Sequence, residues 1–241
     1  LYVCVGGRGT RGSVYRIRAT ESHTEAFTLK GVPQAHLLPA VLEAPQPLSS
    51  WSRREWEPVA EQLGYEAFNV AALDERLPAA PRVRAIEILT EKFGGLDEDT
   101  AGKTSIARSA DVRARTAWSL GRTRPDAMQL RALVRDHDPF VQRQALEALL
   151  SAPRSSVDLV AEDLAPALAG PDKYVRMAAS RVLTRLSPTA YRRAAAAAVQ
   201  TGWQASIPLA AAFAERAPDS HAYPVDVASR ILSGDYDVAL K

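Results

Sequence analysis

The chain has 241 residues, 46% of them hydrophobic and 24% charged, which is an ordinary globular composition with enough apolar side chains for one large or two small cores. The formal net charge of +2 excludes a strong overall electrostatic field that would attract nucleic acid or anionic lipid. Arginine accounts for 25 of the 30 basic residues, which indicates a high-GC genome rather than an arginine-based binding surface. The single cysteine, Cys4, excludes a disulfide framework, a cysteine-based zinc site and a c-type haem motif within these residues.

Residues 1–5 and 13–18 are two short strand-like runs joined by a glycine-rich loop, a pattern that predicts a β-hairpin. Gly7, Gly9 and Gly12 in that loop match the dinucleotide-binding fingerprint. That fingerprint requires a helix directly after the loop, because the helix N-terminus holds the pyrophosphate. Since a strand follows here, the glycines favour a hairpin turn over a nucleotide site.

We predict three parts along the chain. Residues 1–19 form the hairpin, which we expect to end an upstream β-domain, because an isolated hairpin is only marginally stable. The proline-containing residues 20–50 form an extended connector, and residues 51–241 form a helical region. The chain lacks an initiator Met and opens in mid-strand, so we expect it to be a piece of a longer protein.

The helical region begins with an amphipathic run at 51–63, which contains Pro58 and is therefore expected to kink or start late. A further helix is predicted at 82–93, ended by Gly94 and Gly95. Gly102-Lys103-Thr104 matches the end of a phosphate-binding loop. The motif requires a glycine where Asp97 stands and a strand before it, and neighbouring acidic residues would repel phosphate, so a phosphate site is not predicted.

One pattern then occurs three times: an acidic or turn segment, a Val, and a Leu eight residues after the Val. The three Val are Val112, Val141 and Val175, at intervals of 29 and 34 residues. Such a period built from helix pairs predicts an α-solenoid. The predicted inner helices cover 111–121, 139–150 and 173–186, and the outer helices cover 126–135 and 157–169. A degenerate pair at 188–200 and 204–216 and a helix at 224–232 are expected to follow.

The phrase at 111–121, repeated around Val175, resembles HEAT-like repeats of the short kind, with Gln142 departing where Arg is usual. The resemblance covers roughly residues 80–216 and implies an α-α superhelix whose concave face docks a protein or a neighbouring domain.

A broader resemblance rests on the order of Gly7-Arg8-Gly9, then the helix at 85–90, the repeats, and Gly234-Asp235-Tyr236. This order is similar to large multidomain proteins of planctomycete-type bacteria, which carry a β-propeller, a helical repeat region and a cytochrome-c-like domain. The resemblance implies a periplasmic or envelope location and an oxidoreductase as parent. The propeller's active site and a haem-binding Cys-x-x-Cys-His are absent from this segment.

Arginines of the inner helices are the candidate partner-binding residues, with two interpretations left open. They line the concave face, or they pair with the turn residues Asp111, Asp138 and Asp172 of neighbouring repeats, which accompanies the architecture. The candidates are Arg113, Arg115, Arg143, Arg176 and Arg181.

Trp118 is the sixth candidate, because some HEAT-type alkylpurine DNA glycosylases resemble this repeat and use a concave-face Trp against DNA. Packing within the helix register is the competing interpretation of Trp118.

No reaction is visible in these residues. The four His have no metal-ligand spacing, no Ser lies in a nucleophile-elbow context, and no apolar run reaches the roughly 20 residues that span a bilayer. We therefore predict a non-catalytic interaction module without metal or cofactor. A nucleic-acid-binding or DNA-repair solenoid is the alternative, which a mixed-charge concave face would contradict.

Overall fold

The computed structural model describes residues 2–5, 12–16 and 27–201, together with the isolated residues 205, 208, 209 and 212. Strands β1 (Tyr2–Val5) and β2 (Ser13–Arg16) pair in antiparallel fashion, with Tyr2 opposite Arg16 and Val5 opposite Ser13. The predicted hairpin is thus confirmed, and a strand rather than a helix follows the glycines. Gly7 and Gly9 lie outside the described residues.

Helices make up most of the described remainder. Their bounds are α1 Gln34–Leu42, α2 Ser50–Leu73, α3 Ala79–Lys92, α4 Glu98–Ser105, α5 Ala110–Thr123, α6 Ala127–Val134, α7 Pro139–Leu149, α8 Arg154–Val157, a 3-10 helix Asp158–Leu164, α9 Ala165–Ala169, α10 Lys173–Leu183 and α11 Pro188–Thr201.

The helices form two layers, which is the architecture of a HEAT-like α-solenoid. Layer A consists of α3, α5, α7 and α10, each packed against the next. Layer B consists of α2, α4, α6, the 3-10 helix with α9, and α11. Within a repeat, a layer B helix packs on the layer A helix that follows it, as α6 does on α7. The mostly α fold predicted from the repeat pattern is confirmed.

The repeated Val and Leu residues fill the space between the layers. Val112, Val141 and Val175 are at most 1% exposed, and the Leu residues eight positions later are buried with them. The predicted caps also form: Asp138 accepts a hydrogen bond from the Phe140 amide at 2.8 Å, and Asp172 accepts one from the Tyr174 amide at the same distance. Helices α7 and α10 therefore start at an aspartate side-chain cap, whereas α5 starts after Ser109 and α3 after Pro78 without a bond from a capping side chain.

Two local predictions are wrong. The connector, predicted as extended, contains α1, because buried Leu37, Val41 and Leu42 pack strongly enough to accommodate Pro39 inside the helix. The kink in α2 falls at Gly64 rather than at Pro58, since Gly64 adopts φ of 74°, which a helix cannot continue through.

The outer helix predicted at 157–169 is also not continuous. It is divided into α8, the 3-10 helix and α9, with Val160 at φ −107° inside the 3-10 segment. Pro166 near the start of α9 supplies no N–H, and its ring would meet the carbonyl of the residue four positions earlier, so a single α-helical ladder cannot run through it. Most of the further helices predicted at 204–216 and 224–232 lie outside the described residues.

The inner helix predicted at 111–121 would end at Gly121, but Gly121 has a different role. Helix α5 continues to Thr123, and Gly121 lies against α7. A Cβ at Gly121 would come within 2.7 Å of Ala148 Cβ and 2.8 Å of Ala148 Cα. Gly121 therefore permits the backbones of two stacked helices to approach closely.

We expect Gly121→Ala to lower the free energy of unfolding by about 1–3 kcal/mol, because α5 and α7 must separate to accommodate the methyl group. Gly102→Ala is the matched control. Gly102 lies in α4, and a Cβ there would meet no atom within 4 Å. Alanine at this position should raise the free energy of unfolding by about 0.5–1 kcal/mol through helix propensity alone. Urea denaturation of both variants measures the two values, and a shift in the same direction would contradict the close-approach role.

Candidate functional site

The three repeated Val residues place layer A in register, so side chains at equal offsets from them can be compared. One position before the Val stand Asp111, Phe140 and Tyr174, all exposed. Six positions after it stand Trp118, Glu147 and Arg181. Positions three, four and seven apart share one side of a helix. We call this side the outward face. It comprises Asp111, Arg115, Trp118 and Arg122 of α5, Phe140, Arg143, Gln144 and Glu147 of α7, and Tyr174, Met177 and Arg181 of α10.

Arg113 does not belong to the outward face. It is 7% exposed, and its Nε and Nη2 atoms donate to the two carboxylate oxygens of Asp136 at 2.7 and 3.0 Å. Its Nη1 atom donates to the carbonyls of Ala107 and Arg108 at 2.8 and 3.1 Å. Every one of these acceptors belongs to the chain itself, so Arg113 serves the fold.

In the other two repeats, the residue that follows the repeated Val also donates to backbone carbonyls. Arg176 donates through Nη1 to the carbonyls of Gly170 and Pro171, each at 2.7 Å, and Gln142 donates to the carbonyl of Val134 at 3.5 Å. Arg82 in α3, which the sequence analysis missed, donates to Ala72 at 3.0 Å. In each case a layer A side chain binds carbonyls at or just after the end of the preceding layer B helix, where the helix dipole favours a donor.

The prediction that the arginines pair with Asp138 and Asp172 is wrong. Both carboxylates cap their own helices. The acidic partner of Arg113 is instead Asp136, two residues earlier, which also accepts from the Asp138 amide at 2.9 Å. Arg82 could have been found by its place just before a buried amphipathic run, but Pro81 replaces the Val that marks the other repeats.

Arg115, Trp118 and Arg122 form a stacked group on the outward face. Trp118 is half-buried, with the Arg115 guanidinium 4.8 Å and the Arg122 guanidinium 5.0 Å from its ring centroid. Arg115 also forms an ion pair with Glu87 of α3 at 3.2 Å. Arg122 is exposed and has no carboxylate partner among the described residues.

The other two predicted residues lie on the same face. Arg143 pairs with Glu147 one turn away, at 3.3 Å from Nε to Oε1. Arg181 of α10 is exposed, and none of its side-chain nitrogens contacts a carboxylate in the described part of the chain. Four of the six predicted residues, Arg115, Trp118, Arg143 and Arg181, are therefore brought together on one face, and Arg113 and Arg176 are not.

A groove of about 280 Å³ opens on this face at the first turns of three stacked helices. Ala114 forms part of its floor, and Phe140, which is 45% exposed, forms part of its wall. Tyr174 and Met177 of α10 are 53% and 62% exposed and extend the apolar surface beyond it. The full lining of the groove is Ala80, Val83, Asp111, Ala114, Arg115, Phe140 and Gln144. The sequence pattern does not single out Phe140, Tyr174 and Met177, because their only signal is that large apolar residues occupy outward positions.

The phosphate-loop match falls within helix α4. Lys103 pairs with Asp99 one turn earlier at 2.5 Å, and the buried Thr104 hydroxyl donates to the carbonyl of Thr100 at 2.7 Å. These groups are arranged along a helix rather than around a concave loop, so they cannot surround a phosphate. His137 contacts Asp136, and no group of three or more His, Cys, Asp or Glu in the described residues is placed to hold a metal ion.

Residues 104–184 match the family model of HEAT repeats. No curated protein and no solved structure gives a significant match to the chain. The matched segment contains all three repeated Val residues and the whole outward face. HEAT repeats generally serve as protein-interaction scaffolds, and no helix in the described part of the chain combines the length and apolar character that a membrane-spanning segment requires.

We expect Arg113→Gln to lower the free energy of unfolding by about 2–4 kcal/mol at neutral pH, because the buried Asp136 carboxylate would lose its cation. Burial opposes ionisation of Asp136, but the hydrogen bonds from Arg113 and the Asp138 amide outweigh it and hold the pKa below its usual range.

The control is the pH dependence of the difference in unfolding free energy between wild type and Arg113→Gln. A carboxylate with a lowered pKa stabilises the fold above its unfolded pKa of about 3.9, and the stabilisation is lost as the pH falls through the folded value. The difference between wild type and Arg113→Gln should therefore shrink below about pH 4. Urea denaturation at several pH values measures it. A difference that stays constant down to strongly acidic pH would show that the charge of Asp136 is not involved.

Proposed function

We propose that this segment is a non-catalytic docking module whose outward face binds a protein or a neighbouring domain of a longer chain. The observation that carries the proposal is the apolar row formed by Phe140, Tyr174 and Met177, whose side chains are 45–62% exposed on adjacent stacked helices. Apolar side chains that cluster at the surface and are rimmed by polar groups are typical of protein-interaction sites.

The surroundings of this row support the same proposal. The groove beside Phe140 offers a concave place for one apolar side chain, and Trp118 with its two arginines lies farther along α5. Aromatic residues and arginine are enriched where partner binding energy is concentrated. A rigid helical layer also presents these groups without the entropic cost of ordering a loop.

Nucleic acid is the less favoured partner. The outward face carries both signs of charge, because Arg115 is paired with Glu87 and Arg143 with Glu147. A duplex-binding surface needs several cations free to neutralise phosphates. Trp118 is moreover occupied by two stacked guanidinium groups, so a base cannot stack on it without displacing one of them.

On the resemblance alone, we further propose that the segment belongs to a larger envelope protein of the propeller and cytochrome type, whose redox chemistry would lie outside these residues. A flanking reading frame that encodes a propeller upstream and Cys-x-x-Cys-His downstream would support this parentage, and a frame without them would remove it.

A photoreactive benzoylphenylalanine in place of Met177 tests the docking face. In a lysate of the source cells, we expect irradiation to join the chain to a discrete protein. Excess unlabelled wild type should compete the product away, and Tyr174→Ala in the same chain should reduce it about tenfold, as expected for a surface anchor.

The matched control places the same photoreactive residue at Leu159, which is 64% exposed but lies in layer B. It should give no competed product. Equal products from both positions, or a product at Met177 that neither the wild type nor Tyr174→Ala affects, would contradict the proposal.

Mobility shift of duplex DNA tests the alternative. We expect no retarded band at about 150 mM salt, and at about 50 mM only weak binding that Trp118→Ala leaves unchanged. A band that persists at the higher salt and is lost in Trp118→Ala would instead favour a nucleic-acid-binding solenoid.

A further inference from the structure

We infer that the partner segment is an acidic peptide with an apolar side chain: its carboxylates bind Arg122 and Arg181, and its apolar side chain enters the groove beside Phe140. The inference rests on the proposed docking function and adds the chemistry of the partner. It is carried by the charges of the outward face that have no counter-charge within the described residues.

The cations of the face fall into two groups. Arg115 and Arg143 already contact carboxylates of the chain, at 3.2 and 3.3 Å. Arg122 and Arg181 are exposed and contact none within the described part of the chain, and Lys173 lies 4.8 Å from the ring of Tyr174 without an acidic partner there. The cations left for an external partner are therefore Arg122 and Arg181, in the last turns of α5 and α10, with Lys173 beside Tyr174.

The acidic groups on the outward face and beside it on α3 are mostly satisfied. Glu87 contacts both Arg84, at 3.1 Å, and Arg115, and Glu147 contacts Arg143. Asp111 at the groove mouth is the remaining acidic side chain of the outward face with no contact to a described cation. The unpaired charge is thus predominantly positive, and charge complementarity selects an anionic partner.

Arg122 is arranged to recognise a carboxylate. Its guanidinium is stacked 5.0 Å from the Trp118 centroid, and the flat group on an aromatic ring loses little side-chain entropy when it binds. A stacked guanidinium keeps its edge N–H groups available, and those groups match the two oxygens of a carboxylate. The ring also limits the access of water on one side, which strengthens the hydrogen bonds.

The spacing of the sites sets the length of the segment. Arg115, at the groove, and Arg122 are seven residues apart on α5, or about 10 Å along its axis. Arg181 lies two stacked helices away, at about 16–20 Å. An extended chain advances about 3.3 Å per residue, so an apolar residue and the first carboxylate would be about three positions apart, with a second carboxylate five or six positions beyond.

A peptide fits this arrangement better than a polyphosphate backbone. Glu87 and Glu147 lie among the cations, so a chain with a negative charge at every unit would meet repulsion. A peptide can carry carboxylates only where Arg122 and Arg181 stand and an apolar side chain at Phe140. Apolar burial and two charge-assisted hydrogen bonds then act together.

Selection of a displayed library of random twelve-residue peptides on the full chain tests the inference. We expect the enriched peptides to combine Asp or Glu with an aromatic or aliphatic residue at about these spacings. A synthetic peptide of the enriched sequence should bind at least about tenfold more weakly to Arg122→Gln/Arg181→Gln than to wild type, and changing its Asp and Glu to Asn and Gln should weaken it similarly.

The control is Arg154→Gln/Arg192→Gln, which removes two exposed charges outside layer A, in α8 and α11, and should leave the affinity unchanged. Enrichment of Lys-rich peptides, enrichment unaffected by Arg122→Gln/Arg181→Gln, or tighter binding of a duplex oligonucleotide than of any peptide would overturn the inference.

The failure of this inference can be separated from failure of the docking function. If no acidic peptide is enriched while the benzoylphenylalanine at Met177 still gives its competed protein product, the partner is not acidic and the docking face stands. If the product is also absent, both proposals are wrong.

Discussion

The ion pair between Arg113, which follows the first repeated valine, and Asp136 joins two successive repeats. Arg113 connects three elements: it lies in the first turn of α5, binds the carbonyls after α4, and holds Asp136 in the turn before α7. The bond to Asp136 passes from one repeat to the next, so it orients neighbouring repeats as well as closing one. Breaking it would leave a carboxylate in a site that is 8% exposed, which explains why the interaction belongs to the fold rather than to a partner.

Because the buried Val and Leu residues place the layer A helices in the same register, residues at equal offsets come to lie side by side on layer A. The outward face is therefore a property of the stack and not of any single helix. Phe140 on α7 and Tyr174 on α10 are neighbours in the register although they are 34 residues apart in sequence. The charge pairs that cross from α3 to α5, such as Glu87 with Arg115, have the same origin.

Sequence alone could predict the features that repeat. The buried Val and Leu, the capping Asp138 and Asp172, and the two-layer helical fold all follow from periodicity and cap chemistry, and the structure contains them. The roles of the arginines could not be separated in this way. Arg113 and Arg115 are two positions apart and look alike in sequence, yet one points beneath the preceding helix end and the other outward. Side chains of three helices, α3, α5 and α7, line the groove, so no local sequence pattern could reveal it. Gly121 could not be interpreted either, because a glycine at that position is also typical of a helix end.

The contact between Gly121 and Ala148 has a consequence at the opposite end of the same helices. It brings the last turns of α5 and α7 to backbone contact, whereas the groove opens at their first turns, about 15 Å away along α5. The separation of α5 and α7 along their length, and with it the width of the groove, therefore depends in part on a residue that no ligand in the groove would touch. Substitutions at Gly121 or Ala148 would change the size of the side chain that the groove accepts and leave the residues that line it unchanged.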